Sequence, residues 1–245
     1  MLSARRAALI GVLTLLLGLL LFFPARIAYQ WIAPPTVLLS GIDGSVWNGS
    51  SSEASVGGLY LGNLRWKVRP LRLFRGELAF AITAKPASGL ISGSVGVAIG
   101  GTYTVSNLQA EVSLQSLQSL LHNPGLSGSM RVELDELTGN AGGPVSATGS
   151  FDIVNLINPS VTRDTIGGYR GEISSDDSGF LVLIEETDGI VDIDGRLTIA
   201  MDHSYRFIAL LAPNARTPVN LRQFMERLPL ADDGVRRVYQ FDGRM

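Results

Sequence analysis

Aspartate, histidine and serine, the residue types of a nucleophilic relay, stand side by side at Asp202-His203-Ser204. A serine hydroxyl becomes a nucleophile when a histidine base takes its proton and a carboxylate orients that base, all within hydrogen-bond reach. Consecutive residues of a strand point to opposite faces, so a trio in extended backbone cannot build that chain. No G-x-S-x-G element, which would raise a serine on a strand-to-helix turn, occurs anywhere.

Metal chemistry finds little better material. The two histidines, His122 and His203, are far apart and show neither H-x-H nor H-E-x-x-H spacing. His122 precedes Asn123-Pro124 at an expected helix end, where a cationic side chain suits the helix dipole. Oxygen ligands are richer around Glu185, Glu186, Asp188, Asp192 and Asp194. Asp192 and Asp194 would share one face of a strand, and loop Asp188 would join them around a hard cation such as Ca²⁺. The EF-hand offsets are not met, and a solvated sheet face explains the same alternation. Cysteine is absent, which excludes disulfides, thiolate metal sites and a cysteine nucleophile. Carboxylates for glycoside hydrolysis abound, but a sequence gives no distance between them. No catalytic residue, metal ligand or cofactor is assigned, and the residues point away from an enzyme.

The elements that would position these side chains are strands. In "ELAFAITA" Leu78, Phe80 and Ile82 alternate with Ala79, Ala81 and Thr83; in "SMRVELDEL" Met130, Val132 and Leu134 alternate with charged residues. Period two over such lengths predicts a half-buried strand. The rhythm returns in "AEVSL", "VSATGSFDI", "GFLVLIEE", "GIVDIDGRLTIAM" and "SYRFIALLA", with turn residues near most breaks. No helical pattern separates these runs, which disfavours a parallel βαβ sheet. The fold class expected is all-β, a mainly antiparallel, curved, Gly-rich sheet. Many of the 28 glycines, among them Gly93, Gly96, Gly100, Gly101, Gly142 and Gly143, fall in or beside strands, where they mark bends and bulges. Two short capping helices are expected, in "LQSLQSLLHNPG" and "TPVNLRQFMERLP".

The N-terminus departs from this rhythm. Arg5 and Arg6 precede an apolar run from Ala7 to Phe23, about 25 Å of helix. It is longer than a signal-peptide core and lacks a clean A-x-A after it. The expectation is a transmembrane helix acting as an uncleaved anchor. Basic residues before the run place the N-terminus in the cytoplasm, and Tyr29 and Trp31 would form an aromatic belt at the far face. The expected division is a cytoplasmic tail at 1–6, an anchor at 7–25, a linker at 26–35 ending at Pro34-Pro35, and one β-domain at 36–245. The expected localisation is the bacterial inner membrane, single-pass, with the C-terminal domain in the periplasm and membrane lipid contacted through the N-terminal helix. With 20 Lys and Arg against 22 Asp and Glu the chain carries −2, and no basic run tracks a phosphate backbone; nucleic acid is not an expected partner.

The stretch "GIDGSVWNGS" holds two hairpin dipeptides, Asp43-Gly44 and Asn48-Gly49, too close for both to be two-residue tips. The reading is a turn at Asp43-Gly44 and a bulge at the other, with Trp47 and Trp66 in the core. Asn48-Gly49-Ser50 also matches a glycosylation acceptor, read as accidental, and Ser50 to Ser52 read as a polar strand entry.

Gly44, Trp47 and Gly49, followed by Leu64, Trp66 and Pro70, form a G-x-x-W-x-G element, an L-x-W stretch and a proline. In this order after an anchor, residues 38 to 82 resemble the type II secretion system protein N family, the N component of the general secretion pathway. The resemblance implies a bitopic inner-membrane accessory component of the apparatus that moves folded proteins across the outer membrane, with no known catalytic residues. It implies docking on other components of that apparatus. That family is also similar in architecture to AsmA-like proteins, which implies the alternative of a membrane-anchored groove that binds or transfers lipid.

Overall fold

The computed structural model describes residues 4–117, 125–159, 162 and 164–244. Two helices come first, α1 (Ala4–Leu21) and α2 (Ala25–Ile32). Eight strands follow in hairpin succession: β1 (Val37–Gly44), β2 (Asn48–Val56), β3 (Leu59–Val68), β4 (Glu77–Lys85), β5 (Gly89–Ala98), β6 (Tyr103–Ser113), β7 (Ser127–Asn140) and β8 (Gly143–Ile157). Five more follow among the described residues: β9 (Gly167–Asp176), β10 (Gly179–Glu186), β11 (Val191–Ala200), β12 (Ser204–Pro213) and β13 (Arg237–Arg244). Among the described residues three short helices sit between strands: α3 (Pro70–Leu73), the 3-10 turn η1 (Leu114–Leu117) and α4 (Val219–Glu226).

The strands form one antiparallel sheet in chain order, each paired with its sequence neighbours, with β1 and β13 at its two edges. The all-β, antiparallel expectation stands on this. Binary patterning gives the sheet two faces. Reading across the register, Leu64, Ala84, Ile91, Ala110, Val132, Phe151, Gly171, Ile184, Gly195, Ala209 and Tyr239 are direct partners in one row. One residue along, Arg65, Thr83, Ser92, Gln109, Glu133, Ser150 and Glu172 form a polar row on the opposite face. A slip of one residue would exchange these faces, so the apolar row holds the register.

Register shifts bend the sheet at several ladders, including those around Asn107 and Asn155, both at positive φ. It curls far enough that η1, after β6, packs against β3 as well as β6 and β7, burying Leu114. At the far end α4 lies against β12 and buries Met225. α4 matches the expected second capping helix; of the first, η1 supplies the start, and His122 lies outside the described residues.

The N-terminal expectation is corrected. Among the described residues no helix is long and apolar enough to cross a membrane. α1 starts with Arg5 and Arg6 inside it, so its uncharged part, residues 7–21, is about 22 Å against a hydrocarbon core of about 30 Å. The helix does not run on through Phe23. The chain turns instead, with Val46 N–H donating to the Phe23 carbonyl at 3.0 Å and Pro24 bridging Ser45. With the transmembrane helix fall the bitopic role, the single-pass inner-membrane topology and the lipid contact through an N-terminal helix. The membrane-anchored lipid groove loses its anchor for the same reason.

Candidate functional site

Of the residues singled out between 44 and 70, Gly44, Trp47, Gly49 and Trp66 come together at the loop between β1 and β2, while Leu64 and Pro70 stand apart. Neither hairpin dipeptide is the tip. Gly44 pairs with Gly49, and the loop between β1 and β2 is Ser45-Val46-Trp47. Gly44 takes a left-handed conformation with φ 86°, and a Cβ there would lie 2.6 Å from the Asn48 carbonyl oxygen. Ser45 N–H closes the loop onto that oxygen at 2.9 Å.

Gly49 serves a different need. Its cross-strand partner is Trp66, whose six-membered ring occupies the space a Cβ would take. The Trp66 indole N–H reaches the Val46 carbonyl at 3.1 Å and the Ser45 carbonyl at 3.3 Å. The two glycines and Trp66 therefore make one unit, a tight loop locked by an indole lying flat on a bare backbone. Trp47 is not a core residue, as the sequence reading had it. It is half-buried and its indole N–H donates to the Leu20 carbonyl at 2.7 Å, holding the end of α1 against the hairpin. Leu64 sits in the apolar row, and Pro70 is the exposed first residue of α3, where its missing N–H costs nothing.

The two sheet edges differ, and no sequence pattern announced this. Along β1, Tyr29 of α2 donates its hydroxyl to the Val37 carbonyl at 3.0 Å and accepts the Leu39 N–H at 3.1 Å. Arg26 reaches the Ile42 carbonyl at 3.4 Å. Tyr29 thus plugs the outward backbone groups of an edge instead of joining an aromatic belt, while exposed Trp31 stands 5.9 Å from Phe23. At β13, residues 229–231 cover only the first part, through Val238 N–H to the Pro229 carbonyl at 2.8 Å and the bridge of Leu230 with Arg237. From Gln240 to Arg244 the outer side of β13 carries no further backbone partner among the described residues. One face of the sheet at this edge is aromatic, with Phe207 and Phe241 at 5.1 Å and Tyr239 and Phe241 at 5.9 Å, Tyr239 and Phe241 both exposed.

The catalytic and metal candidates resolve into structure. Asp202 and His203 lie in the turn between β11 and β12 and Ser204 opens β12, and the Asp202 carboxylate accepts both the Ser204 N–H at 3.0 Å and its hydroxyl at 2.6 Å. The serine proton points at the aspartate, and the Ser204 hydroxyl and amide hold that carboxyl below the usual range. His203 bridges the turn at φ 66°. Asp176 and Ser178 repeat the device between β9 and β10. The acidic group is parted among different partners: Asp188 with Arg216, Asp192 with the Asn214 amide at 2.9 Å, and Asp194 with Arg236 at 3.3 Å. Among the described residues no three His, Asp or Glu side chains gather as a metal site.

A family model described as "Type II secretion system (T2SS), protein N" matches residues 35–238. A curated protein of Vibrio cholerae serotype O1, "Type II secretion system protein N", is 24% identical over 252 residues, covering 98% of this chain and all of that protein. No solved structure matches.

Proposed function

From the premise that the chain belongs to the type II secretion system protein N family, we propose that it is an accessory, scaffolding component of that apparatus which works by protein docking, not catalysis. The observation that carries this is the unequal treatment of the sheet edges. An unpaired edge is a template for another strand, and proteins that do not use one block it. Here β1 is blocked by Tyr29 and Arg26, whereas β13 leaves Gln240 to Arg244 open. Strand addition at β13 would supply affinity through backbone bonds, with Tyr239 and Phe241 flanking the added strand on the apolar face.

The test is site-specific photocrosslinking in cells, with the probe at Gln240 or Asp242 and a control at Glu133 on the polar face. Adducts with other secretion-apparatus components from positions 240 and 242, and not from 133, are expected. Adducts with unrelated proteins alone would count against the reading.

A further inference from the structure

We propose that the hairpin tips between β3 and β4 and between β5 and β6 form a surface that settles on an anionic lipid bilayer. Residues 65–76, "RWKVRPLRLFRG", hold five basic residues and no acid. Arg72 is paired with Glu77 at 2.9 Å, while Arg65, Lys67, Arg69 and Arg75 are exposed and make no ion pair among the described residues. Amid these cations three apolar side chains face outward: Leu71 is 78% exposed, Phe74 89% and, on the neighbouring tip, Ile99 93%. The two tips are joined, since Ile99 N–H donates to the Gly76 carbonyl at 3.2 Å.

Burying such side chains would stabilise any fold that could do so, and this one instead presents them together at the end of a sheet. The shape and charge select the occupant. A protein partner would need a hollow matching three projecting side chains. A bilayer interface takes in convex apolar tips without one, and anionic headgroups answer the surrounding cations. The contact is made by strand tips and needs no helix to cross the bilayer. It goes beyond the docking role at β13 and is tested separately from it.

The chain has no cysteine, so a single Phe74→Cys or Ile99→Cys in the full chain takes one environment-sensitive fluorophore cleanly. Vesicles of phosphatidylcholine, with and without about 30 mol% phosphatidylglycerol, serve as the probe. A blue shift at 74 and 99 with the anionic vesicles only, and none for a label at Glu133→Cys, is expected. Arg69→Ser with Arg75→Ser should raise the vesicle concentration for half the shift about 30-fold, each near-surface cation contributing about 1 kcal/mol. An unchanged spectrum at both tips, an equal shift with neutral vesicles, or a shift elicited only by polyglutamate would each overturn the proposal, the last in favour of an acidic protein partner.

Discussion

The indole of Trp66 lies on the bare Cα of Gly49, its direct partner across β2 and β3. The same relationship recurs at Tyr103 over Gly139, Phe151 over Gly171 and Tyr205 over Gly243, each pair direct partners in the ladder. An aromatic ring that folds down onto a glycine covers backbone the glycine leaves open, and the sheet acquires a packed contact without a second side chain.

Gly49→Ala and Gly171→Ala should therefore destabilise the chain by about 1–3 kcal/mol each, the usual cost of forcing a methyl into an occupied site. Gly100→Ala, where a Cβ meets nothing within 4 Å, should be close to neutral. Urea unfolding of the three variants decides it, and equal midpoints would refute the ring-on-glycine account.

Tyr29→Phe removes the hydroxyl that plugs the β1 edge while keeping the ring. Two hydrogen bonds are lost and two backbone groups return to water, so the expected cost is about 1–2 kcal/mol. The local signature is faster amide exchange at Leu39, with exchange in β10 unchanged. Unaltered protection at Leu39 would mean that Tyr29 does not seal this edge.

Burial, with the negative charge of Glu186 second, pushes the Tyr169 phenol up to about 12 from its ordinary 10. A pKa raised in the folded state means that the neutral phenol is favoured there. The stabilisation is complete below pH 10 and is lost as pH rises through about 12. Thermal melts between these values should fall more steeply for the native chain than for Tyr169→Phe. Parallel curves would contradict this.

Asp233 behaves in the opposite sense. The Arg236 side chain first, then the backbone N–H groups of Arg236 and Val235, hold its carboxyl down at about 2. Its contribution is present above the ordinary Asp range and disappears as pH falls toward 2. The Arg236 amide resonance should move through that window in the native chain and stay fixed in Asp233→Asn.

Much of the sheet was legible because alternation is a local property. "GFLVLIEE" is β10 from first residue to last, and "ELAFAITA" is β4 but for Lys85. The glycine-tryptophan element was legible as a pattern, but its reason was not, since the ring that requires Gly49 belongs to Trp66 on the next strand. The apolar run at the N-terminus read as a membrane span because hydropathy counts residues. The bonds from Val46 and Trp47 that pin Phe23 and Leu20 join segments distant in sequence and leave no periodic trace. The plugging of β1 by Tyr29 was hidden likewise, as an aromatic after a greasy stretch suits two roles and only the third dimension separates them. At Asp202 the residue types suggested a relay, and the turn spends them on one another.

Because every strand neighbours the one made just before it, the sheet never has to thread or reopen to accept a newcomer. A chain emerging amino end first can lay down each strand against the last, with little of the entropic delay that more distant pairings impose. The leading margin of such a growing sheet is always its newest strand. A visiting strand at β13 would join the sheet as each strand before it did, by pairing with the strand at its margin.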